Sequence, residues 1–501
     1  MNTKFFCQFG VVICVLALMI KPAHSQVRIE RPGSASWIYH LTVDPAAEMQ
    51  PALTYRIMRG AHERKPGNAA TAYYRAITLF TGGPGKDLAE IYDAFQTLEN
   101  SGKNLSEFPR EQVRKYLQRC TAVLDEIEIA STREHCDWGI RVQELDGVQT
   151  MNLRLAEFQE CRNLARLLML KARLAIVDHD YDEAIHSIQM GCQMGRDVAQ
   201  CPTVITGLIG AAIFHVMLVP LQEIIAEPAS PNLYWAVASA PRPFIDLRPA
   251  LEQEFNWVFK FALIHEAEQP HTPAEWRRLF SESFQVVQQL YPDSSFRLPY
   301  FSPPDGSKLN PQVAAVLLAM REYPRAKAEL TRLGLTSEQI EPLPVIQVIA
   351  LHEAKLVKYQ RDEFLKWAYL PYHQAAPFIQ RLDLPTDEER SADRLVNLEE
   401  ALPMFRGLRP GMSQVLLAGL RVDRRLVRVQ VIEALRMHAA ANDRKFPAAL
   451  SEIKVIPVPN DPFSGLPIVY RLEGETAVLE FPYPSIPPYG EVIRLSLRKI
   501  K

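Results

Sequence analysis

Apolar residues recur at helical spacing through most of the chain, from about residue 56 to about residue 382. Between Glu111 and Ser131, seven of them follow the i, i+3, i+4 spacing that places side chains on one face of a helix. These seven are Val113, Tyr116, Leu117, Cys120, Val123, Leu124 and Ile127. Two more strongly patterned helices follow, one starting at Cys161 and one at Tyr181. Because strand signals are scarce in this region, we expect a mainly α body of helical hairpins.

The C-terminal region is patterned differently, with one helix followed by alternating segments. The helix ends near Asn442, and its apolar face carries Leu426, Val429, Ile432 and Leu435. Apolar and polar residues then alternate in segments 468–472, 476–481 and 491–498, with a turn signal at Glu473-Gly474. This alternation is typical of a β-hairpin and a further strand with one solvated face. We therefore predict a small α+β module, with one helix on an antiparallel sheet.

The first 25 residues are typical of a secretory signal peptide. Lys4 precedes an apolar run from Phe5 to Ile20, and Ala23 and Ser25 stand at the −3 and −1 positions of a cleavage site. Because the run is only slightly short for a membrane span, an uncleaved anchor is the alternative. The expected location is outside the cytoplasm, in the periplasm or the extracellular space.

These patterns divide the chain into four parts. Residues 1–25 form the signal peptide, 26–383 an α-helical domain, 384–423 a linker or connecting helix, and 424–501 the α+β module. The apolar segment from Val204 to Leu221 is interrupted by His215. We interpret it as a buried core helix and expect no stable membrane span after signal cleavage.

Composition and charge narrow the classes of partner. The chain has 501 residues, of which 48% are hydrophobic and 23% charged, so it can bury at least one substantial core. Its formal net charge of −2 favours neither nucleic acid nor an anionic membrane. The strongest local exception is a basic run in the C-terminal helix, which we interpret as a solvated helix face. It comprises Arg421, Arg424, Arg425 and Arg428.

Signal cleavage would leave five of the seven cysteines in the mature chain. They are Cys120, Cys136, Cys161, Cys192 and Cys201. Because five is odd, an oxidising compartment leaves at least one thiol unpaired. One or two disulfides between neighbouring helices are expected, although the sequence does not assign the pairing. No Cys-x-x-Cys motif supports a redox site or structural zinc.

Two motifs begin like ligand-binding signatures and lack their essential residues. The segment from Gly82 to Asp87 is glycine-rich, but Phe80 stands where a phosphate-binding loop needs its first glycine. His265 and His352 each precede a glutamate, as in zinc-protease helices, but neither has a second histidine four residues later. We interpret the first as a helix-breaking loop and both histidines as surface residues.

Two polar clusters also have structural interpretations. The acidic segment 178–183 lacks the glycine turn and distal glutamate of a calcium loop, so we predict a turn between two helices. His135 and Cys136 are adjacent in sequence, and adjacent side chains seldom face one another for catalysis. We predict a packed turn around Trp138 there. The Asp461 loop, 459–467, is interpreted as a turn that directs a helix onto a hairpin.

The segment around residue 180 resembles a tetratricopeptide hairpin. Its inter-helix turn would be Asp180 to Ala184, and small residues stand at three close-contact positions, Ala172, Ala175 and Gly191. The resemblance covers about one repeat and implies two antiparallel helices. A second helical hairpin is predicted in 348–370.

The segment from Arg424 to Leu479 resembles the globular end of type II secretion pseudopilins. The matching positions are Phe446, Pro447, Leu450, Pro459, Asp461, Pro462, Phe463, Gly465, Pro467 and Tyr470. The chain has neither a prepilin cleavage motif nor an apolar stalk joined to this module. As a whole, through its CDWG, PNLYWAVASAP and VPVPNDPFSG segments, it resembles a family of uncharacterised secreted proteins of planctomycete-type bacteria, which implies no activity.

Two hypotheses of function follow from the sequence. The first is a non-catalytic protein-binding or scaffold component of the cell envelope with protein partners, because helical hairpins present binding surfaces. The second is an extracytoplasmic hydrolase whose site is assembled from dispersed residues. The sequence singles out no catalytic, cofactor-binding or metal-binding residue, so we favour the non-catalytic interpretation and expect no cofactor.

Overall fold

The computed structural model describes residues 27–30, 37–88, 91, 109–145, 149, 153, 155–290, 311–383, 409–482 and 490–499. The predicted signal peptide lies outside these residues. The protein is mainly helical with a small five-stranded sheet and a two-stranded sheet of β3 and β4, which confirms the predicted fold class at this level.

Helices make up most of the described chain. In order they are α1 Ala69–Thr81, α2 Arg110–Arg119, α3 Thr121–Ser131, α4 Ala156–Val177, α5 Tyr181–Ala199, α6 Val204–Ala226, α7 Tyr234–Ala238, α8 Arg248–Asn256, α9 Ala262–His265, α10 Pro273–Leu290, α11 Pro311–Arg332, α12 Ser337–Ile340, α13 Val345–Ala368, α14 Tyr372–Asp383 and α15 Arg409–Ala441. The strands are β1 Val27–Glu30, β2 Trp37–Val43, β3 Lys65–Asn68, β4 Arg133–His135, β5 Val469–Glu473, β6 Thr476–Pro482 and β7 Gly490–Leu497.

Helices α4, α5 and α6 pack against one another at the centre of the main core. The hairpin of α4 and α5 is present as predicted, and Asp180 caps α5 by accepting a hydrogen bond from the Glu183 amide (3.1 Å). Small residues allow α5 and α6 to approach closely. A Cβ added to Gly210 would lie 2.4 Å from the carbonyl oxygen of Gly195, so the backbones touch at this crossing. The tetratricopeptide resemblance stays a prediction.

Helix α6 is buried, as expected for the apolar segment that starts at Val204. By length and composition it could cross a membrane, with a mean hydropathy of 2.2, but 83% of that apolar window is buried inside the protein. Its apolar side chains face α4, α5 and α15 instead of an open surface.

The main sheet has five strands in the order β1-β2-β7-β6-β5. β5, β6 and β7 are antiparallel neighbours, and the β5–β6 turn at Gly474 lies where the sequence predicts it. β2 pairs parallel to β7, with Leu41 opposite Leu495. The prediction of an antiparallel sheet is therefore wrong in this respect, because the N-terminal segment supplies a parallel strand and the sheet is mixed.

The pairing of β2 with β7 also changes the predicted division of the chain. Residues 27–43 were assigned to the helical domain, whereas they form β1 and β2 of the same sheet as residues 469–497. Tyr39 and Leu41 of β2 and Ile493 of β7 are all buried, and Arg428 of α15 lies over the Tyr39 ring. The two ends of the chain thus build one structural unit.

Two predicted element boundaries differ from the structure. Segment 348–370, predicted as a second helical hairpin, lies almost entirely within one continuous helix, α13, because no glycine or proline interrupts it. Residues 409–423, predicted as part of a linker or connecting helix, form the first part of α15. The remainder of 384–423 lies outside the described residues.

Candidate functional site

The turn between α13 and α14 carries an exposed apolar surface. We call it the aromatic corner and define it by Trp367, Tyr369, Leu370 and Phe378. Tyr369, Leu370 and Phe378 are 56%, 44% and 40% exposed. The rings of Trp367 and Phe378 stack with centroids 3.9 Å apart, which joins the two helices into one apolar surface. Contiguous exposed apolar side chains of this kind mark interaction sites.

The Asp461 loop adjoins the aromatic corner. Phe463 is buried against Tyr372 of α14 and Leu417 of α15, and Leu466 of the same loop is 64% exposed. Gly465 has φ +70°, and a Cβ added to it would lie 2.8 Å from the His373 ring. Glycine is therefore needed both for the turn and for the contact with α14.

Asp461 itself has a structural role, as the sequence predicts. Its carboxylate accepts a hydrogen bond from the Phe463 amide (3.4 Å), two residues on. Its main partner, which the local sequence pattern does not indicate, is Arg424, whose Nε lies 3.0 Å from Asp461 Oδ1. The Arg424 guanidinium also lies 4.7 Å from the centroid of the Phe463 ring and 5.4 Å from that of Phe481. This arginine therefore holds the loop to both α15 and β6.

The basic run of α15 is not the solvated face that the sequence analysis expects. Arg424 and Arg428 are only 3% and 4% exposed. Arg428 donates to Glu491 of β7 (2.8 Å) and lies over the Tyr39 ring of β2. A sequence signal for this pairing exists: Glu491 has the same strand parity as Ile493, so it faces inward, and a buried carboxylate requires a cation.

The most elaborate cluster of ionisable groups surrounds Asp197 on α5. Tyr73 and Gln193 donate to its carboxylate oxygens (2.9 and 2.7 Å), and Trp138 Nε1 donates to its carbonyl oxygen (2.8 Å). Burial raises the pKa of Asp197 to about 6, although both carboxylate hydrogen bonds oppose the shift. Burial also raises the pKa of Tyr73 well above its usual value.

Asp197 and Tyr73 have the chemistry of a general acid–base pair, but a substrate cannot reach them from the surface. Asp197 and Tyr73 are 2% and 0% exposed, so a substrate would have to displace the surrounding core. The Tyr73 ring stacks on Trp138 with centroids 5.6 Å apart. The predicted packed turn around Trp138 is confirmed, and the cluster accounts for its position.

A second carboxyl group titrates near neutrality. Burial raises the pKa of Glu254, on α8, to about 7. Within the described ranges it has no hydrogen-bond partner, whereas a catalytic carboxyl normally works with a second positioned group. Glu254 alone therefore does not form a catalytic site.

The five cysteines of the predicted mature chain are all free thiols and all buried. The expectation of one or two disulfides is therefore wrong for the structure. Burial raises the pKa of Cys120 and Cys201 to about 11, and it raises the pKa of the other three further. Since the thiolate is the reactive form, these side chains act as small core residues.

The remaining motifs have the following positions. The glycine-rich segment contains a turn at 82–84 directly after α1, as predicted. Asp178 pairs with Arg114 at the turn between α4 and α5 (2.9 Å). His265 lies on the surface, whereas His352 is buried in α13, which corrects its assignment as a surface residue. Among described residues, no group of three or more metal-ligating side chains converges.

Comparisons with known proteins add no relative. No protein-family model, curated protein or solved structure shows significant similarity to this chain. The resemblances to pseudopilins and to a planctomycete-type family therefore stay predictions from sequence.

Proposed function

We propose that this protein is a non-catalytic protein-binding component of the cell envelope. The observation that carries the proposal is the aromatic corner, an exposed apolar surface built from two helices. The partner is a protein that covers these side chains with apolar surface of its own.

Rigidity at the base of this surface supports a binding role. Tyr372, two residues after Leu370, and Phe463 lie edge to face with ring centroids 5.6 Å apart. Arg424 and Asp461 then join the loop to α15. A surface that is already ordered loses little side-chain freedom on binding, and therefore retains more of the binding energy.

The distribution of ionisable groups favours this function over a hydrolase. Burial raises the pKa of Asp197 to about 6 and that of Glu254 to about 7, but Asp197 is buried with its partners and Glu254 has no hydrogen-bond partner among the described residues. The corner offers aromatic rings as anchors of the kind found at protein interfaces, with Arg248 over the Tyr369 ring and Lys366 over the Trp367 ring.

The test is site-specific photocrosslinking in native cells. A photoreactive residue at Leu370 should capture one specific partner. The same residue at Met320, an apolar position of α11 that is 74% exposed, is the matched control and should not capture that partner. Introducing Tyr369→Asp with a photoreactive residue at Phe378 should abolish capture of that partner.

These substitutions separate binding from folding. Because the replaced residues are well exposed, we expect each to change the free energy of unfolding by no more than about 0.5 kcal/mol. Equal capture from Leu370 and Met320 would count against the proposal. Turnover of a hydrolase substrate that is lost in Asp197→Asn or Glu254→Gln would replace it with the alternative function.

A further inference from the structure

Strand β5 forms one edge of the main sheet. In the strand order β1-β2-β7-β6-β5 it has a neighbour on one side only, β6. Four of its five residues are exposed, among them the apolar Val469 (51%) and Leu472 (37%). Since an edge strand leaves a row of backbone N–H and C=O groups without a sheet partner, an uncovered edge is a place where another strand can add.

The register of the hairpin shows which backbone groups face the free edge. β5 and β6 pair one residue to one, without a bulge, and the two-residue loop at 474–475 makes Glu473 and Thr476 a hydrogen-bonded pair. Because hydrogen-bonded and non-hydrogen-bonded pairs alternate, Arg471 also directs its backbone groups toward β6. Tyr470 and Leu472 direct theirs away from β6, and within the described ranges no backbone hydrogen bond outside the sheet uses them.

β5 lacks the usual protections of an edge strand. Natural edges are blocked by a bulge, a proline, a lysine or an inward-pointing charge. The two charged residues of β5, Arg471 and Glu473, point to the same face and have opposite signs. They contact each other (2.6 Å) and also pair with Glu480 and Arg494 on the neighbouring strands. An added strand therefore meets no net charge from β5.

We propose that two copies of this chain associate through β5, antiparallel about a two-fold axis, so that their two main sheets form one sheet of ten strands. Leu472 lies opposite the partner's Leu472 at the axis, where the outward backbone groups of both residues exchange two hydrogen bonds. Arg471 then lies opposite the partner's Glu473, and Glu473 lies opposite the partner's Arg471. Each strand thus supplies both members of the charge pairs, as a two-fold contact requires.

Charge selects this register over its neighbours. A pairing centred on Arg471 or on Glu473 places identical charges directly opposite each other, which destabilises a strand pair. A pairing centred on Tyr470 leaves Arg471 opposite the apolar Val469. In the register centred on Leu472, both charges meet the opposite sign and two exposed leucines cover each other. This complementarity of β5 with itself favours a second copy over another protein at this edge.

Sedimentation velocity of residues 26–501, which include every described element, tests the proposal. One five-residue strand per copy makes a contact smaller than a standard interface, so we expect a reversible dimer that forms between about 1 and about 100 µM. Leu472→Lys brings two lysines together at the axis and should weaken association by about tenfold or more. Leu79→Lys, at a leucine of α1 with similar exposure (44%), is the matched control and should leave the dimer unchanged.

A charge exchange tests the register. Arg471→Glu places glutamates opposite each other in both pairs of a dimer, and Glu473→Arg places arginines there. Each variant alone should therefore dimerise at least about tenfold more weakly than the wild type. A mixture of the two variants restores opposite charges in both pairs and should recover association. The melting temperature of each variant checks that it is folded.

Several outcomes would overturn the proposal. A wild type that stays monomeric over this range would do so, whether its edge stays empty or takes a strand of another protein. A dimer that survives Leu472→Lys, or a mixture of the folded charge variants that stays monomeric, would also do so. Loss of the dimer in Tyr369→Asp would place the contact at the aromatic corner instead. The β5 contact does not involve that corner, so a monomeric wild type would leave the proposed function unaffected.

Discussion

The α4–α6 core and the unit formed by α15 with the main sheet are packed by different means. In the first, small residues such as Gly195 and Gly210 bring helices that are close in sequence into backbone contact. In the second, buried arginines of α15 contact residues from both ends of the chain. Arg436, which is fully buried, binds Glu433 (2.9 Å), the Ser230 hydroxyl (2.8 Å) and the carbonyl oxygen of Asp44 (2.9 Å).

The two kinds of packing should tolerate substitutions to different degrees. A helix crossing depends on local shape, so a misfit at one residue is absorbed in part by its neighbours. A buried guanidinium has several partners at once, and losing it leaves carboxylates and carbonyls without donors in the core. The α15–sheet unit should therefore be the less tolerant of the two regions.

The largest expected effect comes from separating the two ends of the chain. Residues 409–501 alone lack β2, whose Tyr39 and Leu41 are buried opposite Ile493 and Leu495. We expect this fragment not to unfold cooperatively in urea, and a version with residues 27–43 fused through a flexible linker to regain a cooperative transition. A cooperative transition of the unfused fragment would show that the predicted module 424–501 needs no N-terminal strand.

The next largest effect is expected for Arg436→Met. It leaves the buried Glu433 carboxylate unpaired and should lower the free energy of unfolding by about 3–5 kcal/mol, measured by urea denaturation. Arg278→Ala breaks a surface pair with Glu282 and should cost less than about 1 kcal/mol. Similar costs for the two variants would contradict a special role for the buried arginine.

Because of Asp197, the stability of the protein to unfolding should depend on pH. Because the folded pKa of Asp197, about 6, lies above the ordinary value of 3.8, its contribution to stability is complete below about pH 3.8 and is lost as pH rises through 6. The loss is at most about 3 kcal/mol. Asp197→Asn should remove this part of the decline between pH 4 and pH 7 in urea midpoints.

An exposed aspartate supplies the control for this pH dependence. Asp362 lies on the surface of α13, and its side chain is 59% exposed. Asp362→Asn should keep the wild-type decline. If Asp197→Asn also kept it, the raised pKa of Asp197 would be refuted.

The smallest effects should come from the helix crossing. Gly210→Ala places a methyl group 2.4 Å from a backbone oxygen and should cost about 1–3 kcal/mol. Gly191→Ala meets only the flexible Met217 thioether and should cost less. Thermal melting of the two variants tests this order, and the reverse order would mean that the Met217 side chain is more rigid than the backbone contact.

Local patterns account for the parts of the fold that the sequence predicted correctly. The α4–α5 hairpin was predictable because its apolar periodicity and its cap at Asp180 involve residues a few positions apart. The β5–β6 hairpin was predictable from alternation and from Gly474, whose φ of +60° suits a tight turn. The continuous helix α13 was mistaken for a hairpin, although the segment contains no breaker.

The candidate surface was harder to predict from the sequence. Trp367 and Phe378 are each typical of a core helix, and only the antiparallel placement of α13 and α14 brings them together at the surface.

The sequence by itself determined the helical body, the C-terminal hairpin and the structural character of the Asp461 loop, because hydrophobic periodicity and turn chemistry act between near neighbours. Only the tertiary structure decided that β2 joins β7, and that the arginines of α15 lie inside with Glu491 and Asp461 as partners. The physical reason is that a charged side chain carries no local signal of burial. Whether it faces water or a counter-charge depends on which distant segment packs against it.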